Sequence, residues 1–177
     1  NHRAKEKLRP AHVEFFERVK QQGGSVFFDQ DSNLLTKTSR WLRKRTGWGL
    51  PGIQAKRYTG SLRLMGPEFT DADMPLLEDL VRLEELHLYA TNVTDEGLRH
   101  LSGLKQLKHL VFDPQMSDAA LRHLAGLHDL TTLDLINTQV HGEGLTHLAG
   151  LPRLKNLYLT STPMDDGGMK EITAFES

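Results

Sequence analysis

Cysteine is absent from this 177-residue chain, which excludes disulfide staples, thiolate nucleophiles and thiolate metal sites and leaves the redox compartment open. No apolar run approaches the roughly 18 residues of a membrane-crossing helix, and no secretory signal segment is visible. The chain also has no His-x-x-x-His with a catalytic Glu, no Gly-x-Ser-x-Gly and no glycine loop that would cradle a phosphate. Metalloprotease, α/β-hydrolase and P-loop chemistry therefore lack their carriers, and neither a catalytic residue nor a cofactor is expected.

A net charge of either sign is lacking too, at −1 over 22 basic and 23 acidic residues, but the balance conceals a division. Residues 1–66 hold 14 Lys and Arg against 5 Asp and Glu, whereas residues 67–177 hold 8 against 18. A basic end of this kind can meet nucleic acid or an anionic membrane surface, or can be no more than a solvated face.

What the chain has in abundance is leucine at fixed intervals. Five segments begin at Thr59, Leu83, Leu107, Leu130 and Leu154, and within each the apolar residues fall at offsets 0, 3, 5, 10, 15, 18 and 21. The third copy runs one residue short from its fourth position onward. Of 35 such positions 34 are apolar, missing only Thr59; a chain that is 38% apolar would fill about 13 at random. A period of 23 to 24 residues is the mark of a solenoid. The Leu-x-Leu alternation predicts a short half-buried strand, and the later spacing of three predicts one amphipathic helix per period. Neither buries its apolar side alone, so neighbouring copies must stack.

The wording L-x-x-L-x-L-x-x-N/C/T-x-L, carried by Leu83 to Val93, Leu130 to Val140 and Leu154 to Met164, resembles the leucine-rich repeat family. The further wording V-T-D-E-G-L-x-H-L-x-G-L is similar to the short bacterial leucine-rich repeats abundant in planctomycete proteins, and more distantly to repeats of ubiquitin-ligase substrate adaptors and ribonuclease inhibitor. The resemblance covers roughly residues 59–175. It implies an α/β fold: a right-handed horseshoe segment of five repeats, with residues 1–58 as an N-terminal helical cap and residues 59–177 as repeats continuous with it.

Where the family usually has Asn, this chain has Thr91, Thr138 and Thr162, whose hydroxyls can still bond the turn backbone. Thr70, Thr94 and Ser117 are expected as helix N-caps, with Asp71, Asp95, Glu96 and Asp118 in the first turn, where the dipole favours acid. Gly103, Gly126 and Gly150 are expected at the helix ends. His141 and Gly142 replace the Thr-Asp pair in the fourth copy and put its cap in doubt.

Ahead of the repeats, residues 10–22 read as a helix with Val13, Phe16 and Val19 on one stripe and Phe15 beside them, stopping at Gly23-Gly24. A strand over Ser25 to Asp29 and a short helix over Thr38 to Arg45 follow. Lys37, Arg40, Arg43, Lys44, Arg45, Lys56 and Arg57 form the densest basic cluster, with Trp41 and Trp48 interleaved. Such a set could stack single-stranded nucleic acid or touch anionic lipid headgroups, although no nucleic-acid-binding motif accompanies it.

In the implied architecture the strands line the concave face, and the residues flanking their leucines point outward. One row is then Arg63, His87, Val111, Asp134 and Tyr158; a second is Met65, Tyr89, Asp113, Ile136 and Thr160; a third is Ser61, Glu85, His109, Thr132 and Asn156. Aromatics and Arg dominate binding hot spots, which singles out Arg63, His87, Tyr89, Asp134 and Tyr158 as the expected contact set for a protein or peptide partner. Five strands at about 4.8 Å make a platform about 24 Å wide. Nine histidines invite a metal reading, but His100, His123 and His147 recur at one repeat position by duplication. His87 and His109 fall on adjacent rows about 8 Å apart, too far to share an ion, so no metal site is expected. Asp165-Asp166-Gly167-Gly168 falls at a helix start, where acids cap amides.

The reading from sequence is a non-enzymatic protein-interaction module. The alternative is a juxtamembrane spacer or assembly domain of a membrane-anchored bacterial protein, its basic cap beside anionic lipid. Beginning at Asn1 rather than Met, the chain reads as a fragment or processed product; compartment, partner and oligomeric state stay open at this level.

Overall fold

A computed structural model describes residues 10–28 and 59–173. Each period spends its first residues on a strand: β2 (Thr59–Met65), β3 (Glu85–Tyr89), β4 (His109–Val111), β5 (Thr132–Asp134) and β6 (Asn156–Tyr158). These five pair in parallel, in chain order, while β1 (Ser25–Phe28) pairs antiparallel with β2 through an irregularity between Phe27 and Phe28. Because side chains alternate along a strand, the paired leucines all enter one side of the sheet. Leu62, Leu64, Leu86, Leu88, Leu110, Leu133 and Leu135 are completely buried there, together with helix leucines such as Leu98, Leu121 and Leu145. One strand, one turn and one helical segment per period, in parallel register, make this an α/β repeat fold of the leucine-rich type.

The helical segments differ from the expectation in kind. Within the described repeats Met74–Asp79, Asp95–Leu101 and Glu143–Leu148 are 3₁₀ helices, Asp118–Leu121 is a single α-turn that passes into 3₁₀ over Arg122–Leu124, and Asp166–Thr173 is α-helical over two turns. Apolar residues at steps of three, as in Leu98, Leu101 and Leu104, fall in line along a helix of three residues per turn, although the same step at Met169 and Ile172 is carried by an α-helix. The glycines expected at the helix ends do stand there, Gly103, Gly126 and Gly150 following the C-caps Ser102, Ala125 and Ala149, but without the left-handed conformation. Among the described residues the glycines with positive φ are Gly23, Gly66 and Gly142, not Gly103, Gly126 or Gly150. Each 3₁₀ segment leaves through i→i+3 bonds, such as Leu104 N–H to Leu101 O at 2.9 Å, so no left-handed residue is needed there.

The left-handed residue sits instead just after the strand. Gly66, Ala90, Asn137 and Ser161 occupy the same repeat position, with φ of 105°, 53°, 61° and 60°. In the third copy the missing residue removes this kink, and Asp113 turns inward to complete the turn. It is fully buried, its Oδ2 accepting from Thr91 N–H at 2.9 Å and from the Thr91 hydroxyl. The threonines in the family's Asn position act as expected, Thr138 and Thr162 donating to Leu135 O and Leu159 O at 2.7 Å each.

Helix α1 (Pro10–Gln21) ends at Gly23, whose φ is 78°. Phe15, Phe16 and Val19 are buried in the same core as the first repeat. Phe15 meets Phe69 edge-on at 5.8 Å, while Arg18 bonds the Asp73 carboxylate and lies 5.4 Å above the Phe69 ring. The expected helix over Thr38 to Arg45 and the basic residues Arg40, Arg43, Lys44, Arg45, Lys56 and Arg57 lie outside the described residues. No described helix is long and apolar enough to cross a membrane.

Candidate functional site

The parallel register lays the first row straight across the sheet: Arg63 beside His87, His87 beside Val111, Val111 beside Asp134, and Asp134 beside Tyr158. Four strand steps of about 4.8 Å separate Arg63 from Tyr158 by about 19 Å. Tyr89 stands two residues beyond His87, hence on the same face, and is the register partner of Met65. Three of these side chains are large and apolar yet outside the core, with Met65 37%, Tyr89 39% and Tyr158 47% exposed.

Within this row the side chains form two groups. On β2 and β3 the His87 Nδ1 lies 3.1 Å from the Tyr89 hydroxyl, their rings 5.8 Å apart, with Arg63 alongside. Partial burial, and then the Arg63 guanidinium, push the His87 pKa below its ordinary value, opposed by Glu85. At neutral pH His87 is therefore an uncharged imidazole, able to donate from one nitrogen and accept at the other. On β5 and β6, Asp134 Oδ1 accepts the Ile136 N–H at 2.9 Å, which fixes the carboxylate at the strand end beside Tyr158. Val111 separates the two groups. The face thus offers a cation and two aromatic hydroxyls to a ligand, with the Asp134 carboxylate three strands from the cation and Glu85 on the neighbouring strand.

Asp113 is the correction to the second row. It leaves the outward face for the core, because the one-residue deletion takes away the left-handed turn that would carry it outward. Among the described residues no group of three or more His, Asp and Glu could hold an ion. Of the recurrent histidines, His100 pairs with Glu78 at 2.6 Å, and His123 has its pKa lowered by burial and by Arg122.

Sequence reasoning missed what the helix-start acids do. Asp71 accepts from Thr94 N–H at 2.8 Å and from the Thr94 hydroxyl at 2.6 Å; Asp95 does the same for Ser117 at 2.9 and 2.5 Å. Asp118 accepts from the amides of His141, Gly142 and Gly144 at 2.8 to 3.0 Å. Each acid bonds the next repeat's turn rather than merely its own helix. Thr94 correspondingly makes no side-chain cap, whereas Ser117 does, accepting from Ala119 N–H at 3.2 Å. The signal was present in the recurrence of Thr/Ser-Asp at one repeat position. Gly142 breaks that recurrence because its φ is 120° and a Cβ there would collide with the Gly168 backbone.

No protein-family model and no curated protein matches the chain. Among solved structures it is similar to an internalin C2 from Listeria monocytogenes, at 30% identity over 51% of this chain and 38% of that one, with a TM-score of 0.43. It is also similar to an internalin from the same species, at 23% identity over 57% of this chain and 35% of that one, with a TM-score of 0.39. The chain spans little more than a third of either protein.

Proposed function

We propose that this chain is a non-enzymatic interaction module that binds a protein or peptide partner on the concave, strand-lined face carrying Arg63, His87, Tyr89, Asp134 and Tyr158. The observation that supports it most is the continuous register from Arg63 to Tyr158, beside which Met65 and Tyr89 hold apolar surface outside the core. Half-exposed Tyr and Met beside Arg are what desolvated contact centres are made of, because each buries large area at little entropic cost. An extended segment crossing about 19 Å of sheet would span six residues or so.

The test is affinity capture with the chain and with a Tyr89→Ala, Tyr158→Ala double variant, folding being verified by circular dichroism. Arg99→Ala, on the helical side, serves as control. A partner retained by the chain and by the control but lost, about tenfold or more in affinity, by the double variant supports the reading. Equal capture by the folded double variant sinks it.

A further inference from the structure

We infer, resting on the concave-face reading above, that the occupant of that face is an extended segment carrying an acidic side chain and, four residues along, a basic one. The acid meets Arg63 and the base meets Asp134. Arg63 is exposed and Asp134 half-buried, and among the described residues neither forms an ion pair. His87 and Val111 stand between them in register. The first is held uncharged at neutral pH by burial and by Arg63, and the second is apolar. The row is therefore a dipole, positive on β2, negative on β5 and uncharged in the middle.

Each end suits the opposite charge. Asp134 Oδ1 is taken by the Ile136 N–H at 2.9 Å, while Oδ2 has no partner among the described residues. Tyr158, the register partner of Asp134, brings an aromatic ring to its side, and a carboxylate beside a ring favours an ammonium or guanidinium group. On β2 the Arg63 guanidinium offers a forked set of donors to a carboxylate, with the neutral His87 next to it. Glu85 is the opposing charge at this end. It lies one row away, in register with Ser61 and His109 rather than with Arg63, and so leaves the guanidinium open to a ligand.

Length and parity specify the spacing. Three strand steps of about 4.8 Å put about 14 Å between the two charges, and an extended chain advancing about 3.4 Å per residue covers that in about four residues. Four is even, and alternation returns the fourth side chain to the same side. Both charges then face the sheet, with the side chain midway between them over His87 and Val111. A spacing of three or five would turn one charge away. A helix brings a side chain back to the same face after about 7 or 11 residues, or about 10.5 or 16.5 Å, and misses the span on either side.

The experiment selects eight-residue peptides from a displayed random library on the immobilised full chain, with the Tyr89→Ala, Tyr158→Ala double variant as counter-screen. Peptides lost on the double variant are expected to carry Asp or Glu and Lys or Arg four residues apart, in one order or its reverse, at least fivefold more often than three or five apart. In fluorescence polarisation with the synthetic peptides, the chain should prefer the acid over its amide, and the base over a neutral residue, by about tenfold each. Arg63→Gln should abolish the first preference and keep the second. Asp134→Asn, whose amide oxygen can still accept the Ile136 N–H, should do the converse, the folding of each variant being verified by circular dichroism. Selected peptides that need the tyrosines but lack the paired charges overturn this inference and leave the concave-face reading standing, as do preferences that the two variants fail to separate. An empty selection, or peptides indifferent to the tyrosines, overturns both.

Discussion

At the scale of single residues, the four left-handed positions after the strands are filled by side chains of unequal suitability. Glycine adopts positive φ freely and Asn tolerates it, whereas Ala pays a steric cost of about 1–2 kcal/mol. Ala90, at φ 53° and exposed, is a misfit, as is Ser161 at φ 60°. Ala90→Gly is expected to stabilise the fold by about 0.5–1 kcal/mol, after the extra backbone freedom that Gly gains in the unfolded chain is deducted. Asn137→Gly should change it by less than about 0.5 kcal/mol. Urea unfolding of both variants decides the point, and a destabilised Ala90→Gly would mean that the Ala90 methyl is in use. None of these positions announces itself in the sequence, since Gly66, Ala90, Asn137 and Ser161 share no chemistry. They share only a place in the period, and the strain becomes visible once the backbone is laid down. The same holds for Asp113, which the repeat alignment places on the outward face and which a one-residue deletion redirects into the core.

At the scale of elements, the acids at the helix starts separate two physical accounts. If Asp95 acted only on the dipole of its own short helix, its removal would cost about 0.3–1 kcal/mol and less in salt. Its bonds to the Ser117 N–H and hydroxyl make it a fastening between repeats, and charged hydrogen bonds of that kind contribute about 1.5–3 kcal/mol. Asp95→Ala is therefore expected to cost about 2 kcal/mol, largely independent of ionic strength, with Ser117→Ala nearly as costly and the two losses not additive. A double-mutant cycle in urea with additive losses would return Asp95 to the dipole role. The acid positions were legible in the sequence, but the direction of their bonds was not, because the donor sits 22 or 23 residues away in another turn. Helix type was half legible: the spacing of three was on view, but the same spacing is carried by 3₁₀ turns in one repeat and by an α-helix in another.

At the scale of the whole molecule, stability is spread along one dimension, each repeat gaining from its two neighbours. Leu133 is fully buried between two strands, while Leu157 is partly buried and, among the described residues, has a repeat on one side. Leu133→Ala is expected to cost about 3 kcal/mol, within the range for a filled core site, and Leu157→Ala about half as much or less. Native-state hydrogen exchange should show the amides around β6 opening at lower free energy than those of β4, with Leu157→Ala affecting the first set and Leu133→Ala both. Equal losses from the two variants would show a single cooperative unit with no terminal weakness. The opposed charges of the two halves of the sequence belong to this scale as well, but most of the basic residues fall outside the described segments.

The repeat was legible from the sequence alone, and with it the inward leucines, the order of strand and helix, the α1 stripe of Phe15, Phe16 and Val19, and the row from Arg63 to Tyr158. These are matters of period, and a period specifies which residues share a side whatever the fine geometry. Only the tertiary structure decided that Asp113 is internal, that Asp71, Asp95 and Asp118 reach into the next repeat, that His87 meets Tyr89 and is held neutral, and that the β6 edge is left half covered. Apart from the His87–Tyr89 contact within one strand, those outcomes depend on contacts between residues about one period apart, where a single missing residue changes the partner, and a one-dimensional pattern does not carry that distance.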